Sequence, residues 1–221
     1  MAHLVNPQGH RTAIIGITGS GKTFWALELF HRLPPETMAI YIDYAAVVRR
    51  ESWAQHLRPL LITDRRQLLP CLKENRKAVF QPRGNADVEM LAGWMLAWKG
   101  SIPNPAPLWI FFDEIHNYGR EWDAPNVGKV FTMGRNFNIT GIAITQNLPA
   151  IRNTSIIINC QVKVTFSLDS AGVRALSRNY QTIVPDNVLE WVNQQAHLRP
   201  PERKIYNAAV YGLTGPEWRM I

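Results

Sequence analysis

The stretch that decides the fold spans residues 14–25 and reads IIGITGSGKTFW. An apolar run enters a loop with three glycines in six residues, and a Lys-Thr pair then begins a helical pattern. Glycine reaches backbone conformations that other residues avoid, so such a loop can turn its N–H groups inward around an anion. We therefore predict a strand, an anion-binding turn and a helix in that order, which is how an α/β unit begins.

The glycine-rich turn at residues 16–23 fits the full pattern G-x-x-x-x-G-K-[ST]. In this pattern, backbone N–H groups and the positive end of the following helix bind phosphate oxygens. Lys22 is expected to reach the β- and γ-phosphates, and the Thr23 hydroxyl to ligate Mg²⁺. A chance glycine-rich turn is the alternative, which the flanking strand and helix disfavour. The residues predicted to bind the phosphates are Gly16, Thr18, Gly19, Ser20, Gly21, Lys22 and Thr23.

Composition and charge narrow the class of protein. A net charge of +7 favours a polyanionic partner such as nucleic acid, and a merely basic soluble protein is the alternative. No apolar run approaches the roughly 20 residues needed to cross a bilayer. The N-terminal residues lack the apolar core of an export signal. Two cysteines, Cys71 and Cys160, are too few for a disulfide framework, so a reducing compartment is expected.

Short apolar runs alternate with helical patterns along the chain. Because the strands are apolar throughout, the pattern predicts a mostly parallel sheet with helices on both faces. We expect one α/β domain over residues 1–221, since the length is too short for two full domains. The predicted strands are 12–16, 38–43, 77–81, 108–113, 139–146, 162–168 and 204–211. The predicted helices are 22–33, 87–99, 124–137 and 186–197, with 52–75 helical in pieces.

Two adjacent acids close the apolar run at residues 109–112. Asp113, at the end of the strand, is expected to hold Mg²⁺ through water, opposite Thr23. Glu114 is expected to orient and deprotonate the attacking water, which favours hydrolysis over phosphate transfer to a hydroxyl. The alternative is a pair of acids that only caps a strand. His116 is expected to be solvated or simply hydrogen-bonded, with coupling of the acid to a moving loop as the alternative.

Two more polar residues lie beside apolar elements. Gln146 ends the strand 139–146, and open α/β sheets bind their ligands at this carboxyl edge. Gln146 is therefore expected to contact the γ-phosphate or the lytic water; an ordinary turn residue is the alternative. Arg135 ends the helix 124–137, and its planar, permanently charged group suits a developing phosphate charge in a neighbouring subunit. A surface arginine favoured by the helix dipole is the alternative.

The ordered set GITGSGKT, LWIFFDEIHNYG and GRNFNITGIAITQNLPAI resembles the FtsK/HerA superfamily of DNA-pumping ATPases. The likeness spans about residues 10–168, and its most specific part is the Gly-Arg followed by the Thr-Gln. It implies a RecA-like core, ATP and Mg²⁺, a hexameric ring and translocation of double-stranded DNA. It also implies that Arg135 is the preferred trans arginine finger, with Arg83 and Arg178 as rivals. Residues 169–221 are expected to supply closing strands, a helix and a subunit contact.

The position of the glycine-rich turn near the start of the chain narrows the resemblance. No extra N-terminal domain fits before it, so the chain resembles the genome-packaging ATPases of membrane-containing icosahedral viruses. This likeness implies packaging into a preformed capsid, capsid or membrane-vertex partners, and a place in the host cytoplasm. Small relatives from filamentous phages usually carry a transmembrane helix, and none is predicted here. Two other classes remain open: a small-molecule phosphotransferase and a nucleotide-gated phage assembly protein.

Overall fold

The computed structural model describes residues 10–50, 54, 60–119, 125–194, 207–212 and 217–221. Within these residues, nine strands form one sheet in the order β3-β4-β2-β5-β6-β1-β7-β8-β9. Neighbouring strands from β3 to β7 in this order are parallel, and β8 and β9 are antiparallel to their neighbours. The strands are β1 Thr12–Ile15, β2 Met38–Ile42, β3 Leu61–Ile62, β4 Lys77–Phe80, β5 Leu108–Phe112, β6 Ile139–Thr145, β7 Val162–Thr165, β8 Ala209–Tyr211 and β9 Trp218–Met220.

Helices cover both faces of this sheet. Four short 3-10 helices lie among them, at Arg65–Gln67, Ile115–Asn117, Gly134–Phe137 and Leu148–Ala150. Of the part of the chain described, none of the helices is long and apolar enough to cross a membrane. The α-helices are α1 Lys22–Arg32, α2 Val47–Arg50, α3 Leu68–Asn75, α4 Asn85–Gly100, α5 Pro125–Met133, α6 Thr154–Ile158, α7 Ser170–Tyr180 and α8 Asp186–Asn193.

Two apolar cores explain why the strands carry so few polar residues. Successive side chains of a strand point to opposite faces, so Phe111 belongs to the core under α1 and Phe112 to the core under α4 and α5. Phe30 of α1 packs edge-on against Phe111 and Tyr41, with ring centroids 5.7 Å and 5.8 Å away. The parallel sheet flanked on both faces is therefore confirmed, and α1 is fixed over the strand that leads to the acidic pair.

The strand order brings the candidate residues to one edge. β1 lies between β6 and β7, and β5 pairs with the other side of β6. The carboxyl ends of β5, β6 and β1 therefore lie side by side, because parallel strands end at the same edge of a sheet. The turn after β1, the acids after β5 and the glutamine after β6 meet there.

Several elements differ from those predicted. The predicted helix 124–137 is α5 followed by a separate 3-10 turn, with Gly134 placed where a Cβ would lie 2.8 Å from the Ile139 carbonyl oxygen. Residues 169–221 were expected to supply closing strands and a helix, but the positions of helix α7 and strand β9 and the antiparallel pairing there were not predicted. Parts of four predictions lie outside the described residues: those on 52–53 and 55–59, on 124, on 195–197 and on 204–206.

Candidate functional site

The glycine-rich turn is tied to both neighbours of β1. The Gly16 amide donates to the Thr145 carbonyl at 3.3 Å, and the Ile17 amide donates to the Ser167 carbonyl at 2.9 Å. A side chain at Gly16 has no room, because its Cβ would lie 2.7 Å from Ser20 Oγ and 2.8 Å from Phe166 Cβ. Gly21 has a φ of +97°, which a side chain would strain. These features fix a tight turn directly ahead of α1.

Lys22 crosses the turn and faces the acids. It is the first residue of α1, is 5% exposed, and its Nζ donates to the Ile17 carbonyl at 2.9 Å. Burial lowers the pKa of Lys22 to about 8, while Glu114 and Asp113 act in the opposite direction. Thr23 follows as the second residue of α1 and is half-buried. The helix therefore presents a buried amine and a hydroxyl beside its uncapped first turn.

Asp113 is buried at the end of β5. Its Oδ1 accepts a 3.1 Å hydrogen bond from the Glu114 amide, whereas its Oδ2 is buried and accepts no hydrogen bond of ordinary geometry from the described residues. Burial, reinforced by the charges of Glu114 and Asp43, raises the pKa of Asp113 to about 8, with Lys22 and the nearby Tyr41 hydroxyl opposing. A buried carboxyl oxygen with so little hydrogen bonding is costly, and a ligand that supplies positive charge would offset that cost.

Glu114 has a backbone conformation that few side chains adopt. Its φ is +52°, which costs a non-glycine residue of order 1 kcal/mol. Its Oε2 is buried and lies 3.3 Å from His116 Nδ1, but without the geometry of a hydrogen bond. Burial raises the pKa of Glu114, and Lys22 lowers it. Strain and a buried acid with a raised pKa are together typical of catalytic positions.

Gln146 reaches the glycine-rich turn directly. The Thr18 hydroxyl donates a hydrogen bond to Gln146 Oε1. Beside this contact opens a cleft of about 390 Å³, whose lining includes Thr18, His116 and Gln146 as well as Asp169 and Gly172 at the start of α7. Gln146 therefore lies next to the glycine-rich turn and lines a cleft to which α7, a later part of the chain, also contributes residues.

The three candidate arginines lie apart from this site. Arg135 is exposed in the 3-10 turn at the amino end of β6, and the seven residues of that strand separate it from Gln146 by about 20 Å. Arg83 lies beyond β4 in a separate cleft of about 350 Å³, and Arg178 is exposed on the last turns of α7. Among the described contacts, none of the three bonds to the turn of its own chain. Arg135, at the opposite edge of the sheet, would need a neighbouring subunit to act there.

The sequence analysis missed some supporting residues. Asp43 is fully buried after β2, and its carboxylate accepts from the Val47 and Val48 amides at 2.8 Å and 2.9 Å. The signal was an acid closing an apolar run, as at Asp113. Asn193 was harder to foresee: its side chain pairs with both the amide and the carbonyl of Leu168, at 2.9 Å and 3.1 Å. Through it, helix α8 holds the segment that follows β7, and the Ser167 carbonyl of this segment accepts from the glycine-rich turn.

The residues at this edge fit a magnesium–triphosphate group. Asp113 Oδ2 and Ser20 Oγ are buried and find no hydrogen-bond partner in the described part of the chain, and they lie close to a lysine and to the start of a helix. Carboxylate and hydroxyl oxygens are ligands that Mg²⁺ accepts, usually with water and phosphate oxygens completing the set. Asp113 and Thr23 would hold the metal, and Lys22 with the amides of residues 16–23 would hold the phosphates.

Comparison with known proteins gives likeness in structure only. No family model matches the sequence, and no curated protein matches it. The genome packaging NTPase B204 from Sulfolobus turreted icosahedral virus 2, in complex with AMP, superposes with a TM-score of 0.67 at 14% identity, covering 98% of both chains. The same protein is known in complex with AMPPCP and with ATP-gammaS.

Two further structures agree. The DNA-packaging ATPase B204 from Sulfolobus Turreted Icosahedral Virus gives a TM-score of 0.66 at 16% identity over 96% of both chains. VirB4 of Thermoanaerobacter pseudethanolicus gives 0.64 at 11% identity, covering 96% of this chain and 88% of that one. Identities this low establish the fold and not the activity. The chain therefore has the α/β P-loop NTPase fold of the B204 packaging proteins and VirB4, as the resemblance to FtsK/HerA ATPases led us to expect.

Proposed function

We propose that this chain is an ATPase that translocates double-stranded DNA and packages a viral genome into a preformed capsid. The observation that carries the proposal is the meeting of the turn 16–23, the Asp113–Glu114 pair and Gln146 at one edge of the sheet. Carboxyl oxygens of Asp113 and Glu114, buried and without a hydrogen-bond partner among the residues that the structure describes, interact electrostatically with Lys22 there. The likeness to the B204 packaging proteins supports the choice of this NTPase activity over others.

The chemistry follows from the placement of the side chains. Lys22 and the amides of the turn bind the β- and γ-phosphates, and Thr23 and Asp113 hold Mg²⁺. When bound there, Mg²⁺ would supply positive charge that neutralises the phosphate oxygens. Glu114 takes the proton of the water that attacks the γ-phosphorus, while the bond to the ADP oxygen breaks. Gln146 contacts the γ-phosphate or this water, so its hydrogen bond to Thr18 changes as phosphate is lost.

A ring completes the site. We propose that Arg135 of one subunit enters the nucleotide site of the next, because its exposed position at the amino edge excludes its own site. Arg83 and Arg178 are the rivals for this role. A hexamer is the ring expected from the resemblance, and residues 169–221 supply part of the subunit contact. An arginine in trans makes hydrolysis depend on assembly.

DNA is the proposed substrate of the motor. The net charge of +7 favours a polyanion, and contacts to phosphates carry no sequence information. Binding should therefore be nonspecific and should weaken steeply with salt. Segments 49–66 and 115–126, parts of which lie outside the described residues, are the candidates for the loops that face the DNA. Capsid or vertex proteins are the further partners, in the host cytoplasm.

The test is phosphate release from ATP with and without double-stranded DNA, combined with the mass of the protein in solution. DNA-stimulated release by a ring supports the proposal, and Glu114→Gln, which keeps the shape but not the base, should remove it. Transfer of phosphate to an added small acceptor, with no effect of DNA, would favour a phosphotransferase. An inert wild type that still assembles on ATP would favour a nucleotide-gated assembly protein.

A further inference from the structure

His116 lies between the candidate base and the strand that senses the phosphate. It belongs to the 3-10 turn Ile115–Asn117, and its side chain is 11% exposed. Its Nδ1 is 3.3 Å from Glu114 Oε2 and 3.2 Å from Thr145 Oγ1. One ring nitrogen therefore faces two oxygen atoms, one from the acidic loop and one from the end of β6.

The two contacts compete. Burial, and then the charge of Lys22, lower the pKa of His116, so the imidazole is neutral at pH 7. We assign the one N–H of the neutral imidazole to Nδ1, and it can then donate to only one of the two oxygens at full strength. The 3.3 Å approach to Glu114 lacks hydrogen-bond geometry, whereas the 3.2 Å contact to Thr145 has it. A rotation of the imidazole or of the Glu114 carboxyl group would be needed to exchange the partner.

Thr145 is the point at which β6 is tied to the phosphate turn. Its carbonyl accepts from the Gly16 amide, and its hydroxyl accepts from the Asn147 amide at 3.1 Å. The next residue, Gln146, accepts from Thr18. A change in the turn at residues 16–18 is therefore passed to Thr145 through two hydrogen-bonded links, and from Thr145 to the imidazole.

Hydrogen bonds hold the backbone of Glu114, so only its side chain is free to change direction. The Glu114 carbonyl accepts from the Asn117 amide at 2.9 Å, and its amide donates to Asp113 Oδ1 at 3.1 Å. Both ends of the residue are held, and its φ of +52° is fixed by this loop. Only the direction of the carboxylate remains to be set, and among the described contacts His116 is the polar side chain within 3.3 Å of its buried oxygen.

We propose that His116 is a positioning residue that directs the Glu114 carboxylate and couples it to Thr145, so that proton acceptance follows the state of the phosphate turn. The proposal rests on the proposed hydrolysis, because it assigns Glu114 the role of base. The inference goes beyond the proposed function because it names an exchange of hydrogen bonds at His116 Nδ1 that links Glu114 to strand β6.

Three substitutions at His116 separate positioning from simple space filling. Asn places its amide nitrogen where Nδ1 lies, Gln places it one bond further along, and Ala removes the donor. We expect His116→Asn to keep kcat within about 5-fold of wild type, because orientation is retained. His116→Gln and His116→Ala should lower kcat by about 10–100-fold, the range for a misplaced catalytic group. Nucleotide affinity should change by less than about 2-fold in all three.

Thr145→Val tests the other end of the link. Val has the shape of Thr without the hydroxyl, so the strand is expected to remain folded. We expect kcat to fall by about 10-fold, and the effects of His116→Ala and Thr145→Val to be less than multiplicative in the double variant, as for residues that act as a unit. Fully multiplicative losses would overturn the coupling.

A spectroscopic readout does not depend on turnover. We expect the ring ¹⁵N resonances of His116 to show a proton on Nδ1, and to shift when a nonhydrolysable nucleotide and Mg²⁺ are added. Thr145→Val should suppress that shift. Unchanged resonances on nucleotide binding would contradict the proposal, even if the wild type hydrolyses no ATP.

The outcomes distinguish this inference from the proposed function. A wild type without ATPase activity would sink the proposed function, and the ¹⁵N shift would still decide the coupling. An active wild type whose His116→Ala variant keeps full kcat would sink the inference alone. Equal behaviour of His116→Asn and His116→Gln would do the same, because position at Nδ1 would then not matter. If His116→Ala melts early, Thr145→Val and His116→Asn carry the test.

Discussion

Buried polar groups have different surroundings in two regions of the sheet. At the carboxyl edge of β1, β5 and β6, the atoms Ser20 Oγ, Asp113 Oδ2 and Glu114 Oε2 are buried and find no hydrogen-bond partner among the described residues. Around β7 and β8, Lys163 Nζ donates to the Cys160 carbonyl at 3.1 Å, and the Asn207 side chain donates to the Trp191 carbonyl at 2.9 Å. The first region fits the proposed binding of a ligand and the second favours stability, since an unpartnered buried group lowers stability unless something binds it.

The largest effect should come from Lys22, at the ligand edge. Lys22→Ala removes the amine proposed to bind the terminal phosphates, so ATP turnover should fall to background, a loss of at least about 10³-fold. The measurement is phosphate release at saturating DNA. Lys129→Ala, at an exposed lysine on α5, is the matched control and should keep its activity. Comparable activity in the two variants would break the assignment of the edge as the nucleotide site.

Arg135 lies in neither of the two regions compared above. Its removal tests whether a neighbouring subunit contributes this arginine to the nucleotide site. Arg135→Ala should lower hydrolysis by about 10³-fold, the lower end of the range for an arginine finger, with nucleotide binding largely intact. Mixing Arg135→Ala with Glu114→Gln subunits should restore some activity, because one interface then holds an intact base and arginine. Normal hydrolysis by Arg135→Ala rings would shift the role to Arg83 or Arg178.

Asn193 tests the stable region. Asn193→Ala leaves the Leu168 amide and carbonyl without their side-chain partner, so the free energy of unfolding should fall by about 1–3 kcal/mol. Chemical denaturation measures this loss, and Asn187→Ala, exposed on the same helix, should stay within about 0.5 kcal/mol of wild type. A negligible loss at Asn193 would mean that the end of β7 is held by apolar packing instead.

The remaining effect is a change in stability of the opposite sign. Asp113→Asn should raise the stability of the nucleotide-free protein at pH 7, by about 1–3 kcal/mol, because it removes a buried ionisable group. The folded pKa is about 8 against 3.8, so from about pH 4 to pH 8 the unfolded chain has released a proton that the folded chain still holds. Wild-type stability therefore falls as pH rises through this window. Thermal melts should show the gain at pH 7 and its disappearance near pH 4.

A gain of equal size at pH 4 and pH 7 would contradict that interpretation of Asp113. Adding Mg²⁺ and ATP should reverse the order of the melting temperatures, because wild type then gains binding energy that the Asn variant lacks. Such a reversal would show that the Asp113 carboxyl group lowers the stability of the free protein and raises the stability of the protein with its ligand bound.

Particular residues show where the sequence was informative. The turn 16–23 and the acids that end β5 follow short, local patterns, and the structure places both at the expected sheet edge. Helix α7 was missed, because Ser170, Gly172 and Ser177 are weak helix formers. Its start is instead fixed by Asp169, whose carboxylate accepts from the Gly172 amide at 2.7 Å.

The sequence by itself determined the local chemistry of this protein: a phosphate-binding turn, an acidic pair, and strands apolar enough to be covered on both faces. Only the tertiary structure decided which of these meet. It placed β6 between β1 and β5, brought His116 against Thr145 across 29 residues of chain, and moved Arg135 to the opposite edge. The physical reason is that motifs depend on neighbouring backbone geometry, whereas strand order and burial depend on packing between distant segments.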